Sequence, residues 1–212
     1  VIKRRKKRAD NPTPVAPPHD PASFTGTSLI LTHTPKNPSA RILLLIEGII
    51  SLGGSATLAS TYPGTSKKSP DVIIASNPYA HPDLMAGLAA SAAAHLPILV
   101  DLTLDPELMP LDHPSYETYG LSNPETARAY QSMLRSANMI TVPSQIMMTT
   151  LKNNGYRVIM IPDGWSNSNP HWATHPTRPR EFNLGWIGKP GQHKDIADIC
   201  RIIIRVLREF PE

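Results

Sequence analysis

The sequence predicts an α/β fold, a doubly wound and mainly parallel sheet of Rossmann-like type with an incomplete second domain after it. Three observations point there. Short apolar runs recur along the chain, and each stops at a small or polar residue. The runs are continuous, not alternating, as in strands buried on both faces of a parallel sheet. The stretches between them carry helix start and stop signals, giving the strand–helix alternation of such folds.

Taken in order, Ser28–Thr32 (SLILT) reads as an edge strand and Arg41–Ile46 (RILLLI) as a strong strand leading into EGIISLGGSATLAS. Asp71–Ala75 is the next strand, stopping at Ser76-Asn77-Pro78. The Ala-rich helix Asp83–His95 follows, its small residues allowing close packing on a sheet. Pro97–Val100 is a strand stopping at Asp101. Ser122-Asn123-Pro124-Glu125 is a capping box with Pro near the first turn, opening a helix over Thr126–Ser136. Met139–Val142 is a strand; Ser144 caps a helix over Gln145–Asn153, and Gly155 ends it in a left-handed conformation. Arg157–Ile161 and Asn183–Ile187 are the last strands. The final helix aligns Ile196, Ile199, Cys200, Ile203, Val206, Leu207 and Phe210 on one stripe, with Asp195 and Asp198 early and Arg205 and Arg208 late, as its dipole favours.

Proline, at 23 residues, clusters in Asn11–Pro38 and Pro162–Pro179. The expected organisation is a basic, Pro-rich and largely extended tail (1–39), a Rossmann-like domain (40–164), a Pro-rich linker (165–181) and the first strand and helix of a second domain (182–212). The net charge of +4 belongs to the tail: the first ten residues hold six of the 21 Lys and Arg and one of the 17 Asp and Glu, leaving 15 against 16. Such an arm (1–10) suits an anionic membrane surface or nucleic acid, although no aromatics interleave its charges for base stacking. The single cysteine, Cys200, excludes an internal disulfide framework and fits a reducing, cytoplasmic compartment, with the arm as a peripheral contact at the inner membrane face. No apolar run reaches the ~18 residues of a membrane span.

In open α/β sheets ligands bind beyond the carboxyl ends of the strands, so the strand ends are the candidate site residues. Gly53-Gly54-Ser55, read as a turn after a strand, offers backbone N–H groups to a phosphate; an ordinary tight turn is the other reading. Asp101, with Asp105, lies where a carboxylate orients a sugar hydroxyl or acts as a base, or else serves as a turn and cap residue. His113 follows in a Pro-rich loop. Gly188-Lys189, with Lys194 beside the last helix, suits a diphosphate, or is a turn with solvated lysines. No nucleophile elbow is present, and His171 and His175 lack the partners and spacing of a zinc site.

Together DVIIASNPYAHPDL, LPILVDLTLD, ANMITVPSQIMMTTL, VIMIPDGW and FNLGWIGKPGQHKDI resemble, in order and spacing, a retaining glycosyltransferase of the GT-B fold, family 4 or a close relative, over about Arg41–Glu212. The resemblance implies transfer of a sugar from a nucleotide-diphosphate donor to an acceptor glycan or other acceptor, with no cofactor beyond the donor and no metal. The acceptor would sit in the first domain, the donor in the second. Gly53 and Gly54 match the family's first-domain glycine loop, Asp101 the first carboxylate of an Asp-rich strand end, Asp163-Gly164 the hinge and Gly188-Lys189 the start of the donor loop. The chain departs from the family where relatives often read Asp-Leu-Asp-Asp-Asp and it reads Asp101-Leu102-Thr103-Leu104-Asp105. The segment that grips the donor ribose and sugar would lie beyond residue 212, so these residues by themselves are expected to be inactive. The alternative is a non-catalytic scaffold or subunit derived from this fold, oligomerising through 182–212.

Overall fold

The computed structural model describes residues 24–64, 69–164 and 193–210. Six strands form one all-parallel sheet in the order β2-β1-β3-β4-β5-β6. The elements run β1 (Thr27–Leu31), α1 (Ala40–Ser51), β2 (Ser55–Ala59), β3 (Val72–Ser76), α2 (Pro82–Ala93), β4 (Ile98–Asp101), α3 (Tyr116–Tyr119), α4 (Pro124–Ser136), β5 (Met139–Val142), α5 (Gln145–Asn153), β6 (Val158–Met160) and α6 (His193–Glu209). A doubly wound α/β fold of Rossmann-like type is thus present. The segment 165–181 and the expected strand Asn183–Ile187 lie outside the described residues.

Two expectations are corrected. Ser28–Thr32 is no edge strand: β1 sits between β2 and β3, and the sheet therefore begins upstream of residue 40. The run Arg41–Ile46 is not a strand but the first half of α1. Its apolar residues fit either period over six positions, and the longer pattern decides. Ile42, Leu45, Ile46 and Ile49 fall at helical spacing and pack with Ile30 and Ile74 of the sheet, while Leu43 and Ile50 point outward. Ser39 starts the helix by accepting the Ile42 N–H. The true second strand is β2, SATLA, which lacks the bulky apolar run expected of a strand and pairs along β1.

The strand period of two divides the core between two faces. Leu29, Leu31, Ile73, Val100, Ile140 and Val142 face the larger cluster, filled by Leu84 and Leu88 of α2, Tyr130, Met133 and Leu134 of α4, and Met147 and Leu151 of α5. Ile30, Ile74 and Leu99 face the other side, against α1. The central strands are covered on both sides, which is why they read as unbroken apolar runs.

Two of the helices on the larger face, α4 and α5, start and stop where the sequence signals lie. Asn123 accepts the Glu125 N–H with Pro124 in the first turn, Ser144 accepts the Met147 N–H, and Gly155 (φ +88°) closes α5. No helix among the described residues is long and apolar enough to cross a membrane.

Candidate functional site

A cleft of about 730 Å³ opens at the carboxyl edge of the sheet. Its walls are the residues that follow successive strands: Thr32-His33-Thr34 after β1, Ser76-Asn77 at β3, Thr103-Leu104 after β4 and Asp163-Gly164 after β6. The first turn of α1, Ser39 to Ile42, and the loop His113–Ser115 with Tyr119 complete it. From β1 the chain winds outward through α1 to β2, then crosses to β3 on β1's other side. The loops after β1 and β3 therefore diverge and leave a crevice between them, the place where open α/β sheets bind ligands.

Beneath the cleft lies a charged cluster. The Arg41 Nε donates to both oxygens of Asp101 (3.0 and 2.9 Å), and Nη2 donates to Oδ1 at 2.8 Å. Thr141 Oγ1 donates to the same oxygen at 2.6 Å. The Arg41 Nη1 donates to the Ile161 carbonyl (2.7 Å) and to Asp163 (2.9 Å). The Arg41 side chain thus joins α1 to the end of β4 and to the segment leaving β6, and Thr141 ties β5 in through Asp101. Arg41 is 8% exposed and Asp101 fully buried. Burial opposes the guanidinium charge, but Asp101 and Asp163 outweigh it and raise the pKa of Arg41 above its ordinary value.

Asn77 shapes the crevice at the switch point. Its backbone is left-handed (φ 42°, ψ 48°), which Asn tolerates better than most residues. Its N–H donates to the Asp101 carbonyl at 3.0 Å. The side chain pairs reciprocally with Thr103, Nδ2 donating to Oγ1 (2.6 Å) and Oδ1 accepting from the Thr103 N–H (3.0 Å). Across the mouth the His33 and His81 rings stack with centroids 4.2 Å apart and planes 14° apart, and His81 Nε2 lies 3.4 Å from the Tyr119 hydroxyl. Burial, and then the neighbouring His33, lower the pKa of His81.

The sequence-predicted site residues fall in different places. His113 lines the cleft; its Nδ1 accepts the Ser115 N–H at 3.1 Å, so in the neutral ring the proton sits on Nε2, which makes this imidazole a hydrogen-bond donor. Asp101 lies below the cleft, its carboxylate taken up by Arg41 and Thr141. Asp105 accepts the N–H groups of Glu107 and Leu108, the turn role.

Gly53, Gly54 and Ser55 do not follow a strand. They lie between the carboxyl end of α1 and the start of β2, at the opposite edge of the sheet. Their N–H groups are already used: Gly53 donates to Ile50 and Gly54 to Ile49, a Schellman closure, and Ser55 donates to Gly26. The expected phosphate cradle is therefore absent there, a consequence of reading α1 as a strand. Gly188 and Lys189, and the side chain of Lys194, lie outside the described residues.

Ser76-Asn77 and Asp163-Gly164, strand-end candidates in the sequence, do line the cleft; residues that the sequence reading passed over include His33, Ser39, Arg41 and Thr103. One signal was available for Arg41. A cation in the first turn of a helix opposes the helix dipole, so Pro38-Ser39 before an apolar 3.6-period run, followed at once by Arg41, calls for a buried anion nearby. The Asp101 carboxylate is that anion.

The fold is that of a Rossmann-like α/β protein, with a crevice at its switch point. Comparison with known proteins finds no family model that matches the chain and no curated protein that matches it.

Proposed function

We propose that residues 24–164 form the acceptor-side half of a glycosyltransferase-like protein, which moves a sugar from a nucleotide-diphosphate donor to an acceptor held in the carboxyl-edge cleft. The observation that carries the reading is the cleft itself: it lies at the β1/β3 switch point, and its wall includes Asp163-Gly164, where the chain leaves the sheet towards the Pro-rich linker. Ligands at such crevices are commonly shared with a following domain. In this reading Gly188, Lys189 and Lys194 serve the donor diphosphate, and Asp101 is a positioning residue that holds Arg41. The setting is a reducing compartment, with the arm Lys3–Arg8 against an anionic surface.

Melting the chain with and without UDP- and GDP-sugars tests this. A ligand at one hundred times its Kd stabilises by about 2.7 kcal/mol, a Tm rise of several degrees for a chain of this size. The rise should vanish in Lys189→Ala/Lys194→Ala. No shift with any donor counts against the transferase.

A second reading, the non-catalytic scaffold, is favoured by one observation. α6 exposes Ile199 (47%), Ile202 (64%) and Phe210 (64%) among the described residues, an apolar face suited to a partner chain. Light scattering separates the two: a strictly monomeric chain removes the scaffold.

A further inference from the structure

We propose that the start of α1, with the carboxyl ends of β1 and β3 beneath it, holds the single phosphate group of a phosphate monoester. This site stands whether or not the protein transfers a sugar. α1 is 12 residues long, and the first N–H groups of a helix have no partner within it. Ser39 accepts the Ile42 N–H, but the Ala40 and Arg41 N–H groups donate to no described residue, and both residues line the cleft. They carry the positive end of the helix dipole, which favours an anion. The corresponding groups of Gly53, Gly54 and Ser55 are spent on Ile50, Ile49 and Gly26.

An independent observation points to a ligand at this spot. Ser76 ends β3 on the sheet face that packs Ile74 against α1, lines the cleft and is only 8% exposed. Its hydroxyl has no hydrogen-bond partner among the described residues. Burying a hydroxyl without a partner is costly, so a donor left unspent and turned to the cleft calls for an acceptor there. Beside it, one position beyond the paired Leu31 and Ala75, Thr32 is 2% exposed. Its Oγ1 accepts the Thr34 N–H (3.4 Å) and keeps its own proton to donate. These two amides and two hydroxyls match the three terminal oxygens of one phosphate monoester and fall short of a diphosphate. The Arg41 guanidinium is not among the donors, being committed to Asp101, Asp163 and the Ile161 carbonyl. Asp163, 71% exposed on the same wall, resists further negative charge. Lys36, exposed in the β1–α1 loop, makes no ion pair with a described residue and can add a cation.

Backbone-amide NMR titrations of the chain with glycerol phosphate, inorganic phosphate, glycerol and UDP, at constant ionic strength, test the site. Glycerol phosphate and phosphate should shift the Ala40 and Arg41 amides with a Kd in the ~mM range, and glycerol should leave them in place. Ser76→Ala should weaken glycerol phosphate about tenfold. Its Tm should be unaltered or raised, because the hydroxyl has no protein partner to lose. Asp163→Asn, which removes the opposing carboxylate, should tighten binding. No shift at these amides up to ~100 mM phosphate overturns the site, and so does an unchanged affinity in Ser76→Ala. UDP bound through the same amides about tenfold more tightly than glycerol phosphate overturns the monoester. The donor-induced Tm rise depends on Lys189 and Lys194 and tests the transferase separately.

Discussion

Arg41 and Asp101 set the stability of the site, because neither tolerates the loss of the other. A buried carboxylate left without its cation costs about 3–5 kcal/mol. Arg41→Met should therefore lower the urea-derived unfolding free energy by that amount. Arg41→Met/Asp101→Leu should cost less than Arg41→Met alone, since the stranded charge is gone. A double-variant cost equal to the sum of the costs of Arg41→Met and Asp101→Leu would show that the pair is not coupled. His81 gives a pH signature with a definite sign. Its pKa is lower in the folded protein than the ordinary 6.5, so below pH 6.5 the unfolded chain binds the extra proton first. The stability from the neutral ring is fully present above 6.5 and is lost as pH falls through the folded pKa. Unfolding free energies measured across this window should fall on acidification. The fall should lessen in His33→Gln, which removes the ring stacked on His81. An unchanged slope would separate the two histidines.

Among the elements, the helix ends make the sharpest predictions. α2 closes as α5 does, with His95 N–H donating to Ala92 and Leu96 N–H to Ser91, but the left-handed position holds His95 (φ 57°) where α5 has Gly155. His95→Gly should stabilise by about 0.5–1 kcal/mol, raising Tm by roughly 2–4 °C per kcal/mol. Gly54 is different: a Cβ there would stand 2.6 Å from the Phe24 ring, so Gly54→Ala should destabilise although the residue is far from the cleft. Calorimetry of both variants checks the pair.

The same caps explain what the sequence could reveal. Asn123, Ser144 and Gly155 act through neighbours within a few residues, so their roles were readable locally, as were β3, β4 and β5 with their buried apolar runs and β6 with its β-branched ones. α1 was not, because the five apolar residues Ile42–Ile46 satisfy both periods and only the packing of Ile42, Leu45, Ile46 and Ile49 on Ile30 and Ile74 selects one. β2 was hidden for the opposite reason, having few apolar residues to announce it. That one misread element carried the phosphate site to the wrong edge.

For the whole molecule, strand order decides where function can reside. Placing β1 between β2 and β3 sends consecutive connections to opposite sides and opens the crevice. Pairings such as Arg41 with Asp101, 60 positions apart, or with Asp163, 122 apart, exist only once that order is set. They could not be read from either partner's neighbourhood. In the function proposed above, ligand meets the carboxyl edge of this sheet and not the glycine turn at its other end. Backbone-amide NMR spectra of the chain, recorded with a nucleotide-sugar and a disaccharide both present, test it most directly. Perturbations should concentrate at Thr32–Ser39, Ser76-Asn77 and Thr103. Perturbations centred on Gly53–Ser55, or none within residues 24–164, would contradict it.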